Sequence, residues 1–363
     1  MGASKHDFLS IMKLKPLYIF TLMLAVALLI GLPFVMGGRD AQVSDKPTES
    51  TTIPTEAPTE APTEPQPPVY TLSFVGDCTL GCADQYREQD IGFIKTVGED
   101  YAYPMANVRH IFEADDFTIA NLEGPLTDGG AKADKQFVFR GPTAYTAILT
   151  GASIEAVTTA NNHNWDYGSA GQISTAAALD AAGVAHGGRE KSFLYTTDSG
   201  LTVGVYCDDF AFDKTHITAS IADLRAQGAE VVICAFHWGE EKVYTPNGNQ
   251  ISWGRIAIDA GADIVYGHHA HVLQPVEFYN GGVIFYGLGN FCFGGNVNPS
   301  DMDTAILQQQ FLREPDGTLT MGDTISIPCS ISSVADRNNY QPTPLAEGSE
   351  AYNRVMSKLG LTE

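Results

Sequence analysis

The sequence predicts an α/β protein. Beyond residue 68, short apolar runs alternate with helical patterns, and one strand after another ends in a polar residue. This alternation is typical of a sheet that is largely parallel and buried on both faces. The chain has 363 residues, 44% of them hydrophobic, which is enough to bury one sizeable core or two modest ones.

The N-terminal segment predicts a membrane anchor. Residues 1–16 contain three lysines, and the almost purely apolar residues 17–36 match the thickness of a bilayer core. These lysines outnumber the single Arg39 that follows, so the positive-inside rule places residues 1–16 in the cytoplasm and the folded domain outside the cell. A cleaved signal peptide is the alternative, although the run is long for one and no Ala-x-Ala site follows it.

A linker is predicted for residues 37–68. Its composition is dominated by Thr, Pro, Glu and Ser, with a near-repeat over residues 54–64. Such a segment has too few large apolar residues to build a core, so we expect a disordered stalk that holds the folded domain away from the membrane.

The folded part is predicted to comprise a main domain, residues 69–335, and a C-terminal extension, residues 336–363. Predicted strands cover residues 70–75, 116–120, 155–160, 201–206, 230–236 and 281–286, with one more beginning at Ala262. Predicted helices cover residues 104–113, 143–150, 169–182, 217–227, 252–260 and 352–358. Gly183 is expected to end the third of these helices.

The charge of the chain disfavours two classes of binding partner. There are 43 acidic and 21 basic residues, a formal net charge of −22, which argues against a nucleic-acid partner and against electrostatic docking on anionic lipid.

The six cysteines form no CxxC pair, and several lie in apolar runs, where a buried hydrophobic role is expected. Their even number would allow disulfides outside the cell, but the sequence predicts no pairing.

Three of the nine histidines lie within four residues, directly after an apolar run: His268, His269 and His271. In an extended segment alternate side chains share a face, so His269 and His271 would lie side by side and His268 would face the other way. Two adjacent imidazoles offer two ligands to a metal ion. A polar loop with chance histidines is the alternative.

Ligand-type residues also follow the other predicted strands. They are Asp77, Glu123, Asn162 with His163, and His237. The carboxyl ends of parallel strands meet at one sheet edge, so these residues should converge there with the histidine cluster. Mixed nitrogen and oxygen ligands suit manganese, iron or zinc, which can activate water and hold phosphoryl or acyl oxygens. Taken singly, Asp77 could cap a helix, Glu123 could be a surface turn residue, and Asn162 could hold a left-handed turn.

These motifs resemble the signature series of the CapA family, named for poly-γ-glutamate capsule biosynthesis and grouped with the calcineurin-like metallophosphoesterases. The resemblance runs from about Leu72 to Phe293. The motifs are Gly-Asp at 76–77, Asn-Leu-Glu-Gly at 121–124, Asn-Asn-His-Asn-Trp-Asp-Tyr-Gly at 161–168, His-Trp-Gly-Glu-Glu at 237–241, Gly-His-His-Ala-His-Val-Leu-Gln at 267–274 and Tyr-Gly-Leu-Gly-Asn-Phe at 286–291. The resemblance implies a four-layer α/β/β/α sandwich of two back-to-back sheets.

The resemblance also implies roles for individual residues. One or two divalent ions, manganese, iron or zinc, would be bound by Asp77, Glu123, Asn162, His237, His269 and His271. Asp77 and His163 would be catalytic, with His163 either assisting the leaving group or only bonding to the ligand shell. Two departures are visible: Thr79 stands where the phosphatases have a histidine, and Glu123 stands where they have an aspartate. The alternatives to a complete two-metal centre are therefore a single metal ion, weak metal binding, or a different geometry of the nucleophile.

Four further residues are candidates for substrate binding. Trp238 could line a groove or lie buried under the site, and Glu241 could line the groove or support a histidine. Arg140 could meet an anionic substrate or form an ion pair, and Asn290 could reach the same pocket.

Two functions from different classes follow. The first is a membrane-anchored extracellular protein of CapA type, a metal-dependent hydrolase of phosphoester or amide bonds in a cell-surface anionic polymer such as poly-γ-glutamate. The second is a non-catalytic accessory subunit that binds polymer or the membrane subunits of a synthase-exporter. The sequence contains no basic stripe, so a metal bridge is the favoured contact with such a polymer. A simple adhesin would not need ligand residues after so many strands.

Overall fold

The computed structural model describes residues 67–189, 191–210 and 212–361. The predicted membrane segment, and the linker up to residue 66, lie outside these residues. Within the described ranges, no helix has both the length and the apolar character needed to cross a bilayer.

Strands and helices alternate along the chain, as the sequence predicts. The strands are β1 (Val69–Thr79), β2 (Phe117–Leu122), β3 (Ala156–Thr158), β4 (Ala185–Gly187), β5 (Phe193–Thr196), β6 (Thr202–Asp209), β7 (Val231–His237), β8 (Ile264–His268), β9 (Val276–Tyr279), β10 (Gly282–Phe285), β11 (Asn290–Phe293), β12 (Asp303–Arg313), β13 (Leu319–Ser330) and β14 (Thr343–Pro344). The helices are α1 (Phe93–Val97), α2 (Arg109–Phe112), α3 (Thr146–Thr150), α4 (Gly168–Ala182), α5 (Lys214–Ala226), α6 (Gly248–Asp259) and α7 (Glu350–Leu359).

The strands form two mixed sheets. The first has the order β14-β13-β12-β1-β2-β3-β4, with β11 also pairing with β1. In this sheet β1 to β4 run parallel to one another. In contrast, β12 is antiparallel to β1, β13 to β12, and β14 to β13. The second has the order β5-β6-β7-β8-β10-β9, with four parallel central strands and an antiparallel strand at each edge. The predicted α/β class is confirmed.

The two sheets pack face to face. Phe74 of the first sheet meets Tyr266 and Phe285 of the second, with ring centroids 5.3 Å apart in each pair, and all three are buried in one hydrophobic cluster. Separate clusters bury Leu179 of α4 against the outer face of the first sheet and Ile221 of α5 against that of the second. Every residue of β2 is buried, including the polar Thr118 and Asn121, so this central strand does not show the apolar–polar alternation of a strand with one solvent-exposed face.

One predicted helix is largely wrong. Residues 104–113 contain only the four-residue α2, preceded by turns. The turns are held by the C-terminal segment, because Tyr103 Oη donates to the Asn339 carbonyl at 3.0 Å and Asn107 Nδ2 donates to Thr343 Oγ1 at 2.8 Å. Gly183 ends α4 as predicted, with a left-handed φ of 73°.

The C-terminal residues contribute directly to the core. Residues 336–361 supply β14 and α7, and Val355 and Leu359 of α7 are fully buried in the cluster between the sheets. Arg354 and Lys358 on the same helix pair with Asp303 at the start of β12. All six cysteines are free and buried, which is the apolar role their sequence context indicates.

Candidate metal centre

Strand register brings the predicted ligands together. In the first sheet Asp77, near the end of β1, lies opposite Asn121 of β2 and Asn290 of β11. In the second sheet His237, the last residue of β7, lies opposite His268, the last residue of β8. The carboxyl ends of parallel strands from both sheets therefore meet at one edge.

Asp77 is fully enclosed by polar partners. Its Oδ1 accepts a hydrogen bond from Asn121 Nδ2 at 2.8 Å and lies 3.2 Å from His268 Nδ1, and its Oδ2 lies 3.1 Å from His271 Nδ1. Burial alone would raise the pKa of this carboxyl, but His268 and His271 outweigh burial and hold the pKa well below its usual range. Asp77 is therefore an anion in the interior.

Glu123 is a second buried carboxyl, directly after β2. Its Oε1 lies 3.7 Å from His237 Nε2 and 3.8 Å from His271 Nε2, too far for hydrogen bonds. Thr79 Oγ1 contacts its Oε2 at 3.5 Å. Burial raises the pKa of Glu123 to about 7. Burial lowers the pKa of His271, but the carboxylates of Glu123 and Asp77 outweigh it and raise that pKa to about 10.

Two imidazoles are kept neutral by burial. His237 Nε2 lies 2.9 Å from Asn162 Oδ1, and its ring centroid is 4.8 Å from that of His269. Burial lowers the pKa of His237 well below its usual range and that of His269 to about 4. Neutral imidazole is the form that binds metal ions.

The residues fit a divalent metal ion. Glu123 Oε1, His237 Nδ1 and His269 Nδ1 are buried without a hydrogen-bond partner. Such atoms cost about 1–3 kcal/mol each unless something satisfies them. Two overlapping groups have ligand atoms within 4.8 Å of one another: Asp77, Glu123 and His271, and Glu241, His269 and His271. This mixture of carboxylate and imidazole ligands suits manganese, iron or zinc.

The histidine cluster does not have the extended geometry that its spacing suggested. β8 ends at His268, and His269 and His271 have left-handed φ angles of 87° and 54°. A turn, not a strand, therefore aims their rings, whose centroids are 6.1 Å apart. His268, expected to face away, instead lies against Asp77. Left-handed backbone costs a non-glycine residue about 1–3 kcal/mol, a strain that is typical of functional sites.

His163 is held at the edge of this cluster. Its Nδ1 lies 2.8 Å from Asp166 Oδ2, and the fully buried Asp166 also receives the Lys135 ammonium at 2.5 Å. Lys135 donates a further hydrogen bond to the Asn162 carbonyl at 2.8 Å. The Phe139 ring lies 4.6 Å from the His163 imidazole. These contacts fix the orientation of the imidazole ring. They leave Nε2 as the nitrogen that can contact a substrate.

Sequence reasoning missed both supports of His163. Asp166 follows it by three residues in one of the quoted motifs, so the spacing His-x-x-Asp could have indicated it. Lys135 lies in a polar loop distant in sequence, and no local signal marks it.

The predicted substrate-binding residues separate into two groups. Glu241 is exposed beside His269 and His271, and the buried Asn290 has its Oδ1 3.0 Å from His271 Nδ1, so both belong to the centre. Trp238 does not line a groove, because it is buried and donates its indole N–H to the Tyr286 carbonyl at 2.9 Å. Arg140 is not free for a substrate, because it pairs with Asp84 at 2.8 Å and its guanidinium lies over the Tyr167 ring at 4.9 Å.

A cleft of about 300 Å³ opens at the centre. His163, His271, Glu241 and Asn290 line its inner part, and Phe137 is among the aromatic residues of its wall. A substrate in this cleft would reach the candidate metal ligands and His163 together.

Residues 71–295 match a family model described as bacterial capsule synthesis protein PGA_cap. The chain is 31% identical over 273 residues to a PGA biosynthesis protein CapA of Bacillus subtilis, covering 69% of this chain and 70% of the relative. It is 27% identical over 307 residues to a capsule biosynthesis protein CapA of Bacillus anthracis, covering 74% and 71%. A "probable polyglutamine synthesis accessory protein" of Mycobacterium tuberculosis is 29% identical over 226 residues, covering 53% and 60%.

Solved structures give weaker matches. The NAD nucleotidase of Haemophilus influenzae aligns with a TM-score of 0.42 and 11% identity, covering 81% of this chain and 63% of that one. A purple acid phosphatase from yellow lupin aligns with a TM-score of 0.33 and 12% identity, covering 72% and 54%.

Proposed function

Because the chain belongs to the family of bacterial capsule synthesis proteins, we propose that it is a metal-dependent hydrolase of capsule or poly-γ-glutamate biosynthesis. Its substrate would be a cell-surface anionic polymer such as poly-γ-glutamate, cleaved at an amide or phosphoester bond. The observation that carries this proposal is the buried cluster of carboxylates and imidazoles with unpartnered atoms, which opens into a cleft beside His163.

In this proposal Asp77, Glu123, His237, His269 and His271 hold the metal, with Asn162 and Glu241 as neighbouring oxygen ligands. The bound ion would polarise the scissile group and activate water. The protein's own part is to position the substrate and move one proton. Asp166 keeps the Nδ1 proton of His163 in place, so Nε2 is the nitrogen that faces the leaving group. In the imidazolium form Nε2 would give its proton to the leaving group, and the ring would return to neutral imidazole with the Nδ1 proton retained.

A non-catalytic accessory role is the second candidate. Thr79 favours it, because its hydroxyl contacts Glu123 where the phosphatases place a metal-binding histidine. A Mycobacterium relative is also named as an accessory protein. In that role the same cluster would bind a polymer carboxylate through the metal, and the partners would be membrane subunits of a synthase-exporter.

We also propose that residues 17–36 anchor the chain in the cell membrane and that the folded domain lies outside the cell. The support is the lysine-flanked apolar run and the linker that follows it. Such a position would place the cleft where an exported polymer passes.

Incubation of the purified full-length chain with defined substrates tests the hydrolase proposal. The chain is supplied with manganese, iron or zinc and given poly-γ-glutamate or p-nitrophenyl phosphate, and polymer length and released nitrophenol are measured. We expect metal-dependent cleavage of at least one substrate that a chelator abolishes. A metal-loaded chain that cleaves neither would contradict the hydrolase role and favour the accessory one.

A further inference from the structure

Lys242 is unusual among the lysines of the described residues. Lys95, Lys135 and Lys358 each have a carboxylate partner within 4 Å. Four others have no such partner among the described residues: Lys132, Lys191, Lys214 and Lys242. Of these four, Lys242 is the one that lines the cleft at the metal centre. In a protein with a net charge of −22, an unpaired ammonium at this place is available for an anionic ligand.

The backbone holds Lys242 in a fixed and strained position. Its φ is 62°, a left-handed conformation that a lysine rarely adopts. Its N–H donates to the carbonyl of Ala270, between the two turn histidines, at 2.7 Å. The next residue is also held, because Gln274 Nε2 donates to the Val243 carbonyl at 2.8 Å. Gln274 is itself fully buried. The lysine is thus tied directly to the turn that carries the metal ligands.

The two acids that share the cleft do not compensate Lys242. Asp301 lies 2.6 Å from the ammonium of Lys358, which neutralises it. Glu241 lies within ligand distance of His269 and His271, so a bound metal ion would take up its charge. With the metal bound, Lys242 would be the lysine of the cleft lining whose charge no carboxylate among the described residues offsets.

The walls of the cleft suit a polyamide chain. Phe137 is 57% exposed, and the more buried Phe139 and Phe293 also line the cleft, so that aromatic surfaces are present for methylene groups. Asn296 and Asn298 add side-chain amides that match the donors and acceptors of a chain of amide bonds. Phe137, Phe139, Asn296 and Asn298 also line an adjoining cleft of about 440 Å³ that extends to Gln85 and Gln89. The two clefts together can hold several consecutive units.

We propose that Lys242 binds a carboxylate of an acidic polyamide, a γ-linked glutamyl chain, and that the chain continues past Phe137 into the adjoining cleft. The inference rests on the proposed function for the choice of polymer, but it concerns binding and not cleavage. Lys242 is thereby assigned as the residue that selects an acidic chain over a neutral one.

The test measures binding of a fluorescently labelled γ-linked glutamyl decamer to the full-length, manganese-loaded chain by fluorescence anisotropy. All variants carry His163→Ala to prevent turnover. We expect Lys242→Met to raise the Kd by about tenfold to a hundredfold, the range for loss of one hydrogen-bonded charge pair. Lys214→Met is the matched control, because it removes the same charge from an exposed lysine that lines neither cleft. Its Kd should stay within twofold of the parent.

A second probe distinguishes binding through the carboxylate charges of the decamer from binding through its size and shape. The same decamer with its carboxylates converted to carboxamides should bind weakly and equally to the parent and to Lys242→Met. The inference is overturned if the acidic decamer does not bind, if Lys242→Met binds it as the parent does, or if Lys214→Met loses as much affinity. Cleavage is measured separately on the chain that keeps His163. Binding that depends on Lys242, together with no cleavage by that chain, would refute only the hydrolase proposal, whereas cleavage by that chain with binding indifferent to Lys242 would refute only this inference.

Discussion

Replacing His163 by alanine is expected to slow hydrolysis by about 10²–10⁴-fold, the usual contribution of a positioned general acid. The metal content should not change, because His163 bonds to Asp166 and is not among the clustered ligand atoms. Initial rates on the substrate cleaved by the parent, together with metal analysis of the same samples, give both quantities.

Variants of the supporting residues sharpen this prediction. Asp166→Asn keeps a side chain of the same size but loses the charge that holds Nδ1–H, so we expect a smaller decrease in kcat than for His163→Ala. Lys135→Met should also lower kcat, because Asp166 then loses its ammonium partner. A His163→Ala variant with a rate within twofold of the parent would show that this histidine has no catalytic role. Loss of metal from that variant would place it in the ligand set instead.

Added metal should raise the unfolding temperature of the parent, and Asp77→Asn should abolish the rise. An ion at a hundred times its Kd stabilises the folded state by about 2.7 kcal/mol, which corresponds to a shift of roughly 4 °C in a folded part of this size. Asp77 is the buried anion at the centre, and an amide in its place removes the charge that attracts the ion. Differential scanning calorimetry with and without manganese measures the shift.

Asp323→Asn is the matched control for this experiment, because Asp323 is exposed on β13 and carries the same change of charge. It should keep the full metal-induced shift. If Asp77→Asn keeps the shift as well, the ion binds elsewhere and the assignment of the centre is wrong.

Part of the convergence of the site could be predicted from the sequence without knowledge of strand order. Parallel strands of one sheet bring their carboxyl ends to one edge, which places Asp77 near Glu123. That His237 joins them depends on how the second sheet packs on the first, which this rule does not give. The α/β class followed in the same way from alternating patterns. The turn at His269 and His271 could not be predicted, because left-handed φ angles at two histidines are set by the surrounding contacts and not by local preference.

The contacts of individual side chains were the second feature that could not be predicted from the sequence. Trp238 lies within a motif and Arg140 lies between two motifs. Whether such a residue faces the cleft or the core depends on packing partners distant in the chain, here Tyr286 and Asp84. The role of Lys135 could not be predicted for the same reason, because it depends on an ion pair with Asp166, which is distant in the sequence. The membrane anchor, residues 17–36, stays a prediction.

The central claim is that the strand ends form a metal centre, and metal content is its most direct test. The full-length chain and the double variant His269→Ala, His271→Ala are purified alike, incubated with manganese, iron and zinc, desalted, and analysed by inductively coupled plasma mass spectrometry. We expect one to two equivalents of metal in the parent and almost none in the double variant. A parent that retains no metal under any of these conditions would contradict the account, as would a double variant that retains as much as the parent.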